Sequence, residues 1–373
     1  MKKRLCLLAV MIVTAFFMID NKTNNNKETR GVFISYLEYE EYFTNKSNKE
    51  IENKIEEIVL SLDKYNINTI YLQVRMFSDS IYKSKIFPKT NIIENDIDLL
   101  SLFLKYAKKN NIKVYAWINP YRIAHNTDIT KISKDNPAYK YLNTNNIEVI
   151  ENKGIYYNPA SKIVKDLIIA GVMEIVEGYE IDGIIYDDYF YPSKTIDLEN
   201  YKEYASSMSI EEYRLGIIND LISSTYKAIK SIDQNIEFGV SPDGNIENDY
   251  DYLYADVKKW LSEEGYIDFI MPQLYYGFYN EVKPFIKTVH EWNDLIKNDT
   301  KLIVALALYK SGKVDLYAKT GKNEWLDYTD IISREIDYSK KLSYYNGYSL
   351  FRFGNLLEKD NPYLTKEIKN YLK

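Results

Sequence analysis

Residues 182–192 read DGIIYDDYFYP, a short apolar run that leads into two consecutive aspartates. The run shows no polar alternation, which is typical of a strand that helices cover on both faces, as in a parallel sheet. Because strand residues alternate between faces, Ile185 and Asp187 are expected on one face and Asp188 on the other. A charge placed against the outer helices is costly, so we expect Asp187 to point inward and Asp188 to reach the rim or a partner.

Seven other runs of this kind occur along the 373 residues, and a segment with helical spacing, such as residues 211–232 or 251–263, follows each run. The eight runs start at Gly31, Thr69, Lys113, Gly183, Ile236, Tyr266, Leu302 and Gly347. Eight strand–helix units predict a single-domain α/β fold, the TIM (β/α)8 barrel. The alternative is a doubly wound open sheet, which usually carries a glycine-rich phosphate loop after its first strand. Residues 38–41, which follow the first run, contain no glycine.

The N-terminal segment is typical of an export signal, because three basic residues precede an apolar run over residues 5–18. This run is shorter than a typical membrane span. We expect residues 1–20 to be a signal peptide or an uncleaved N-terminal anchor, residues 21–29 a polar linker, and residues 30–373 the catalytic barrel. The protein is then secreted or held in the cell envelope. Cys6, the only cysteine, lies within the apolar run, so no disulfide is expected in the mature chain.

The composition argues against several classes of protein. The formal net charge is −6 and charges of both signs are spread along the chain, which does not suggest a nucleic-acid partner. The sequence has two histidines, His125 and His290, too few for a histidine-rich zinc site. We expect no metal and no cofactor.

Candidate catalytic residues are carboxylates at the carboxyl ends of the runs, where a TIM barrel builds its active site. Asp187 and Asp188 end the fourth run, and Asp243 follows the fifth. Two carboxylates around the reactive bond are what glycoside hydrolysis requires, one to protonate the leaving oxygen and one to attack or to activate water. The competing interpretation is structural, with the aspartates capping a helix or pairing with an arginine.

Candidate binding residues also lie where runs end. Aromatic rings can stack on a sugar face, and amide side chains can pair with hydroxyl groups. Gln73 and Arg75 share a face by alternation, as do Trp117 and Asn119. The remaining candidates of this kind are Tyr189, Gln273 and Tyr275. The alternatives are an ion pair between Arg75 and Asp79, and a core position for Trp117.

Eight segments, spread in order over almost the whole mature chain, carry a family resemblance. They are RGVF at Arg30, QVR at Gln73, AWINPYR at Ala116, NPA at Asn158, DGIIYDDYFYP at Asp182, FGVSPDG at Phe238, YADVKKW at Tyr254 and IDFIMPQLYYGF at Ile267. With these segments the chain resembles the glycosyl-hydrolase-like family 10 proteins of bacterial cell envelopes. The DDYFYP stretch is the most specific part of the match.

The resemblance implies a TIM barrel, export and hydrolysis of glycans, with Asp187 and Asp188 as the acidic centre. One branch of the family acts on peptide-free strands of peptidoglycan. The cleft would be lined by Arg75, Asp79, Asn119, Tyr121, Arg122, Gln273 and Tyr275. The chain departs from the family pattern at Met76, where a proline is expected, and at Asp243, where an uncharged residue is expected. Asp243 is therefore supported by its chemistry and not by the family.

The hypothesis that follows is an exported glycoside hydrolase whose partner is a polysaccharide, peptidoglycan or a related amino-sugar glycan. It would touch a membrane only through an uncleaved anchor. One alternative is an envelope protein that binds glycans without cleaving them. Another is a metal-dependent hydrolase or deacetylase centred on the two aspartates, against which the shortage of histidine argues.

Overall fold

The eight predicted runs form a closed parallel barrel in the computed structural model, which describes residues 28–372. The barrel strands are β1 (Thr29–Ile34), β2 (Thr69–Arg75), β3 (Lys113–Ile118), β4 (Gly183–Tyr186), β5 (Glu237–Val240), β6 (Phe269–Ile270), β7 (Lys301–Leu306) and β8 (Tyr345–Leu350). Each strand pairs with its neighbours in sequence, and β8 closes the barrel on β1. The TIM barrel prediction is therefore confirmed. The predicted signal, Cys6 and most of the linker lie outside the described residues.

Helices surround this barrel. Within residues 28–372 the α-helices are α1 (Tyr36–Phe43), α2 (Asn48–Ser61), α3 (Leu99–Lys109), α4 (Lys162–Gly178), α5 (Leu198–Tyr204), α6 (Ile210–Ile232), α7 (Ile246–Asp251), α8 (Val257–Trp260), α9 (Phe285–Leu295), α10 (Glu324–Asp327), α11 (Ile331–Ser339), α12 (Phe353–Leu357) and α13 (Pro362–Tyr371). Short 3-10 helices cover Leu62–Tyr65, Ile129–Lys131, Pro137–Tyr141, Leu308–Lys310 and Leu316–Gly321. None of these helices has the length and apolar character that a membrane span requires.

The helix boundaries follow from local sequence signals. The longest helix, α6, begins at a capping box in which Ser209 and Glu212 satisfy each other's backbone N–H groups. Its buried residues, including Ile218 and Leu221, face the barrel. The helix predicted over residues 251–263 is broken in the structure, where α7 ends at Asp251 and α8 covers Val257–Trp260. Tyr254 has a φ of 52°, a left-handed conformation that a right-handed helix cannot contain.

The barrel interior is packed with aromatic rings, which form a floor beneath the mouth. The ring centroids of Tyr71 and Tyr115 are 5.2 Å apart, and those of Tyr115 and Phe269 are 5.5 Å apart. Glycines make room for these rings: a Cβ on Gly183 would lie 2.4 Å from the Tyr115 ring, and one on Gly239 would lie 2.4 Å from the Phe269 ring. The interior is thus a packed core, and the open space lies above it.

The long segment after β3 folds into a small antiparallel sheet of its own. Its strands are Arg122–Ala124, Ile147–Ile150 and Gly154–Tyr157, with the last one in the centre. Gly154 has a φ of 125°, and a Cβ there would lie 2.1 Å from the carbonyl oxygen of Ala124. The sheet begins at Arg122, directly after the end of β3, and therefore forms one wall of the barrel mouth.

Candidate active site

A cavity of about 320 Å³ opens at the carboxyl ends of the barrel strands. Nine of the residues predicted from sequence line it: Gln73, Trp117, Asn119, Arg122, Asp187, Asp188, Tyr189, Gln273 and Tyr275. They come from segments that are far apart in sequence and that the barrel closure brings to one rim. The structure thus gathers both aspartates, amide side chains and aromatic rings around a single space.

Asp187 lies at the bottom of this cavity, one residue beyond the end of β4. Trp117 faces Ile185 across the β3–β4 pair, and its Nε1 donates a hydrogen bond to Oδ2 of Asp187 at 3.2 Å. The N–H of Tyr189 lies 3.4 Å from Oδ1. The side chain is only 4% exposed. Burial raises the pKa of Asp187 well above its ordinary value, and the neighbouring charge of Asp188 raises it further.

Asp188 lines the same cavity, although strict alternation would place it on the opposite face. The regular strand ends at Tyr186, so alternation no longer fixes the direction of Asp188. Burial raises its pKa to about 6, and the charge of Asp243 acts in the same direction. The side chain of Gln273 donates a hydrogen bond that favours the ionised form. Asp188 is therefore the more readily ionised member of the pair.

The two carboxyl groups share a site without a direct cationic partner. Neither residue takes part in an ion pair within residues 28–372, and the charge of Arg122 is only a minor influence on Asp187. Two adjacent carboxylates in a partly dehydrated site cannot both ionise easily. Asp187 therefore holds a shared proton more firmly than Asp188 does, and the negative charge of the pair falls mainly on Asp188.

Polar and aromatic side chains frame the pair. Oε1 of Gln73 accepts a hydrogen bond from the N–H of Tyr36 at 3.1 Å, and Nε2 of Gln273 donates to the carbonyl of Ser241 at 3.2 Å. These contacts fix both amide groups against the rim. Tyr189 is exposed, and the guanidinium of Arg122 lies 5.6 Å from its ring centroid. The arrangement suits a polar ligand with a flat apolar face.

Arg75 does not reach this cavity, contrary to the expectation that it shares a face with Gln73. A β-bulge between Gln73 and Arg75 pairs Gln73 with Trp117 but Arg75 with Ile118, whose side chain faces the outer helices. An extra residue in a strand reverses the faces of the residues that follow. The Arg75 guanidinium lies 3.8 Å from the ring centroid of Phe87, on the α4 side of the sheet.

Asp79 and Tyr121 also lie elsewhere. Asp79 borders a separate cavity of about 690 Å³, and burial raises its pKa to about 6. The alternative of an ion pair with Arg75 is not seen either, since Oδ1 of Asp79 has no hydrogen-bond partner and neither do two nitrogens of Arg75. Tyr121 is fully buried in the outer core, because the chain bends at Pro120 and Tyr121 and so leaves the strand direction.

Asp243 borders a second cavity beside the first, and Gln273 and Tyr275 line both. Its Oδ1 accepts the N–H of Asn245 at 2.7 Å, and its Oδ2 accepts from the Asn248 amide at 3.3 Å. The structure therefore separates Asp243 from the aspartate pair, although its charge still acts on Asp188. Within residues 28–372, no three His, Cys, Asp or Glu side chains are grouped so that they could hold a metal ion.

Sequence reasoning missed several residues of the first cavity. Tyr36 and Phe351 lie just beyond β1 and β8, and Phe77 lies just beyond β2. All three follow the carboxyl end of a strand, which is the signal that identified the other residues of the cavity. Tyr156, in the small sheet, does not line the cavity, although burial raises its pKa and the charge of Asp187 acts in the same direction.

Comparisons with known proteins agree with this geometry. A family model described as "Glycosyl hydrolase-like 10" matches residues 28–325. The chain is 28% identical over 336 residues to glycosyl hydrolase YngK of Bacillus subtilis, covering 82% of this chain and 65% of that relative. It is 31% identical over 284 residues to glycosyl hydrolase DigH of Escherichia coli K12, covering 68% of this chain and 64% of that relative. The chain thus spans slightly less than two thirds of the length of these two relatives.

Solved structures show the same fold at low sequence identity. The glycoside hydrolase domain of PgaB (BpsB) from Bordetella bronchiseptica superposes with a TM-score of 0.56 at 12% identity, covering 91% of this chain and 98% of that chain. Alpha-L-fucosidase isoenzyme 2 from Paenibacillus thiaminolyticus gives 0.55 at 12% identity, covering 92% of this chain and 49% of that one. At this identity the likeness extends to the barrel only.

Proposed function

Because this chain belongs to the glycosyl hydrolase-like 10 family, we propose that it is an exported glycoside hydrolase that cleaves the glycan strands of peptidoglycan or of a related amino-sugar polymer. One observation carries the proposal: two adjacent carboxyl groups, Asp187 and Asp188, share one ring-lined cavity and form no ion pair with any of the described residues 28–372. A protonated acid beside a carboxylate is the combination that hydrolysis of a glycosidic bond requires.

The two aspartates take different roles in this proposal. Asp187, whose pKa is the more strongly raised, holds the proton and donates it to the leaving glycosidic oxygen. Asp188 supplies the negative charge that the oxocarbenium-like transition state needs, as nucleophile or as electrostatic stabiliser. Water then adds to the anomeric carbon, and its proton restores the acid.

The surroundings of the pair support a sugar as the ligand. Gln73, Asn119 and Gln273 offer amide groups that can pair with hydroxyl or N-acetyl groups, and the rings of Tyr189 and Tyr275 offer flat surfaces. The choice of peptidoglycan rests on the family resemblance of the sequence motifs, because one branch of that family acts on peptide-free strands. The assignment to an exported protein rests on the basic and apolar residues of the first 20 positions.

The experiment is a product analysis. The purified protein is incubated with peptide-free glycan strands and, separately, with intact peptidoglycan, and soluble products are analysed by mass spectrometry. We expect oligosaccharides from the peptide-free strands and fewer from the intact polymer. Co-sedimentation with the strands without any soluble product would instead identify a glycan-binding protein. Equal release from both polymers would contradict the preference for peptide-free strands.

A further inference from the structure

The second cavity, of about 360 Å³, lies beside the cavity that holds the aspartate pair. The segments after β5, β6 and β7 form it, and Gln273 and Tyr275 separate it from the first cavity while lining both. A chain of linked sugar rings that places one bond at Asp187 and Asp188 would therefore continue into this space. The proposed reaction itself makes no use of the second cavity.

The outer edge of this cavity carries side chains that contribute little to the fold. Tyr317, at the start of a 3-10 helix, lines the cavity and is 87% exposed. Val282, from the segment after β6, also lines the cavity and is exposed. Clustered apolar side chains at the rim of a cleft are typical of a binding surface. The Tyr317 ring thus offers a flat face to a ligand in the cavity.

The backbone that carries Tyr317 is nevertheless held in place. Asp315 caps the 3-10 helix by accepting the Tyr317 N–H at 3.3 Å, and it forms an ion pair with Lys310 at 2.7 Å. Lys310 also donates to the carbonyl of Tyr275 at 2.7 Å, which ties this segment to the wall between the cavities. The N–H of Glu281 donates to the carbonyl of Ala318 at 3.2 Å. Because the backbone is held, a ligand has to order only the Tyr317 side chain, which limits the entropy cost of binding.

The polar groups of the cavity indicate the class of ligand. Asp243 accepts from the Asn245 N–H, the Asn248 amide and the Tyr276 hydroxyl, and because a carboxylate offers about four acceptor sites it has room for about one more donor. Asn280 uses Oδ1 to accept two backbone N–H groups, so its Nδ2 is the end that can donate. The two lysines are already paired, Lys283 with Glu247 and Lys310 with Asp315. A neutral ring with hydroxyl groups matches these partners better than an anionic one.

We propose that the second cavity is a subsite for one further uncharged sugar ring of the same glycan, stacked on Tyr317 and hydrogen-bonded to Asp243 and Asn280. This inference rests on the proposed function, which it deepens by making affinity depend on the length of the glycan. It also assigns Asp243 to substrate binding, the role that its place in the second cavity supports.

The test compares Tyr317→Ala with Tyr204→Ala. Tyr204 is 71% exposed on α5 and borders neither cavity, so it is a matched control for the loss of an exposed ring. Both changes are made in an Asp187→Asn background, and binding of N-acetylglucosamine oligosaccharides of two to six units is measured by calorimetry. We expect Tyr317→Ala to weaken binding of the longest oligosaccharide about three- to tenfold, and to remove most of the gain in affinity with length.

The possible results separate this inference from the proposed function. If the Asp187→Asn parent binds the oligosaccharides and Tyr317→Ala binds the longest one equally well, the subsite is wrong and the proposed function stands. An equal loss in Tyr204→Ala would also overturn the subsite. If neither the parent nor either variant binds these oligosaccharides or peptide-free glycan strands, the proposed function fails and the subsite fails with it.

Discussion

Two groups of carboxylates follow the same barrel strand, β4, and their surroundings differ. One group is paired with an arginine, and the other lines an open cavity. Asp197 is fully buried and receives Nε and Nη2 of Arg214 at 2.9 and 2.7 Å, as well as the hydroxyl of Tyr191 at 3.0 Å. Asp187 and Asp188 line an open cavity and have no such cation among residues 28–372. The sequence shows three aspartates within one loop region, but not which of them has an arginine as its partner.

The difference shows where this protein can do chemistry. A buried carboxylate with an arginine is neutralised by that arginine and contributes to structure. A buried pair of carboxyls without a cation is neutralised by a proton, and the proton is available to a substrate. A substitution at the Asp197 site is thus expected to lower the stability of the protein. A substitution of Asp187 or Asp188 is expected to lower its activity.

The largest effect is expected at the structural site. Arg214→Met removes the cation and leaves Asp197 buried without its partner, so we expect the free energy of unfolding to fall by about 3–5 kcal/mol. Urea denaturation measures this free energy of unfolding. Lys162→Met, which breaks an exposed ion pair with Asp166, is the control and should cost less than about 1 kcal/mol. A loss as small as that of the control would show that the two groups of carboxylates do not differ in this way.

The next effect is expected at the cavity. Asp188→Asn removes the negative charge beside the reacting carbon, so we expect kcat for peptide-free glycan strands to fall about 10²–10³-fold. The free energy of unfolding should not decrease, because the change removes a carboxyl that burial disfavours when charged. An unfolding loss comparable to that of Arg214→Met would mean that Asp188 is a structural residue.

A smaller effect tests the hydrogen bond that Trp117 makes to Asp187. This bond favours the ionised form of Asp187 and so lowers its pKa. Trp117→Phe should therefore raise that pKa and move the alkaline limb of the pH profile of kcat/KM to higher pH. The profiles of both proteins are compared over the same pH range. A shift toward lower pH would contradict the assignment of Asp187 as the acid.

The smallest effect concerns the acid limb. Activity should fall as the pH drops through about 6, because Asp188 becomes protonated there. The charge of Asp243 raises that pKa, so Asp243→Asn should move the acid limb to lower pH by on the order of half a unit. An acid limb that stays in place or moves upward would show that Asp243 does not act on Asp188.

Much of the fold could be predicted from the sequence because buried parallel strands have a simple signature. All eight runs became barrel strands, and the carboxyl ends of strands gave nine residues of the first cavity. The rule that strand side chains alternate between two faces is reliable wherever regular strand geometry continues to the last residue. Trp117 and Gln73 follow it, and both face the cavity.

The failures occur where the backbone leaves ideal geometry. A single bulge turned Arg75 to the outer face, and no pattern in the residues marks that bulge. Because β4 ends at Tyr186, alternation does not determine the direction of the Asp188 side chain. Tyr317 lies far beyond the end of β7, on an inserted 3-10 helix, so the search of strand ends could not find it. Which carboxylate receives an arginine also depends on Arg214, which only the folded chain brings near.

The most direct test uses Asp187→Asn, with activity and stability measured on the same preparation. We expect release of oligosaccharides from peptide-free glycan strands to fall about 10²–10⁴-fold, since the proton donor is lost, while the free energy of unfolding stays at or above that of the unaltered protein. Unchanged release of oligosaccharides by a folded Asp187→Asn protein would contradict the account.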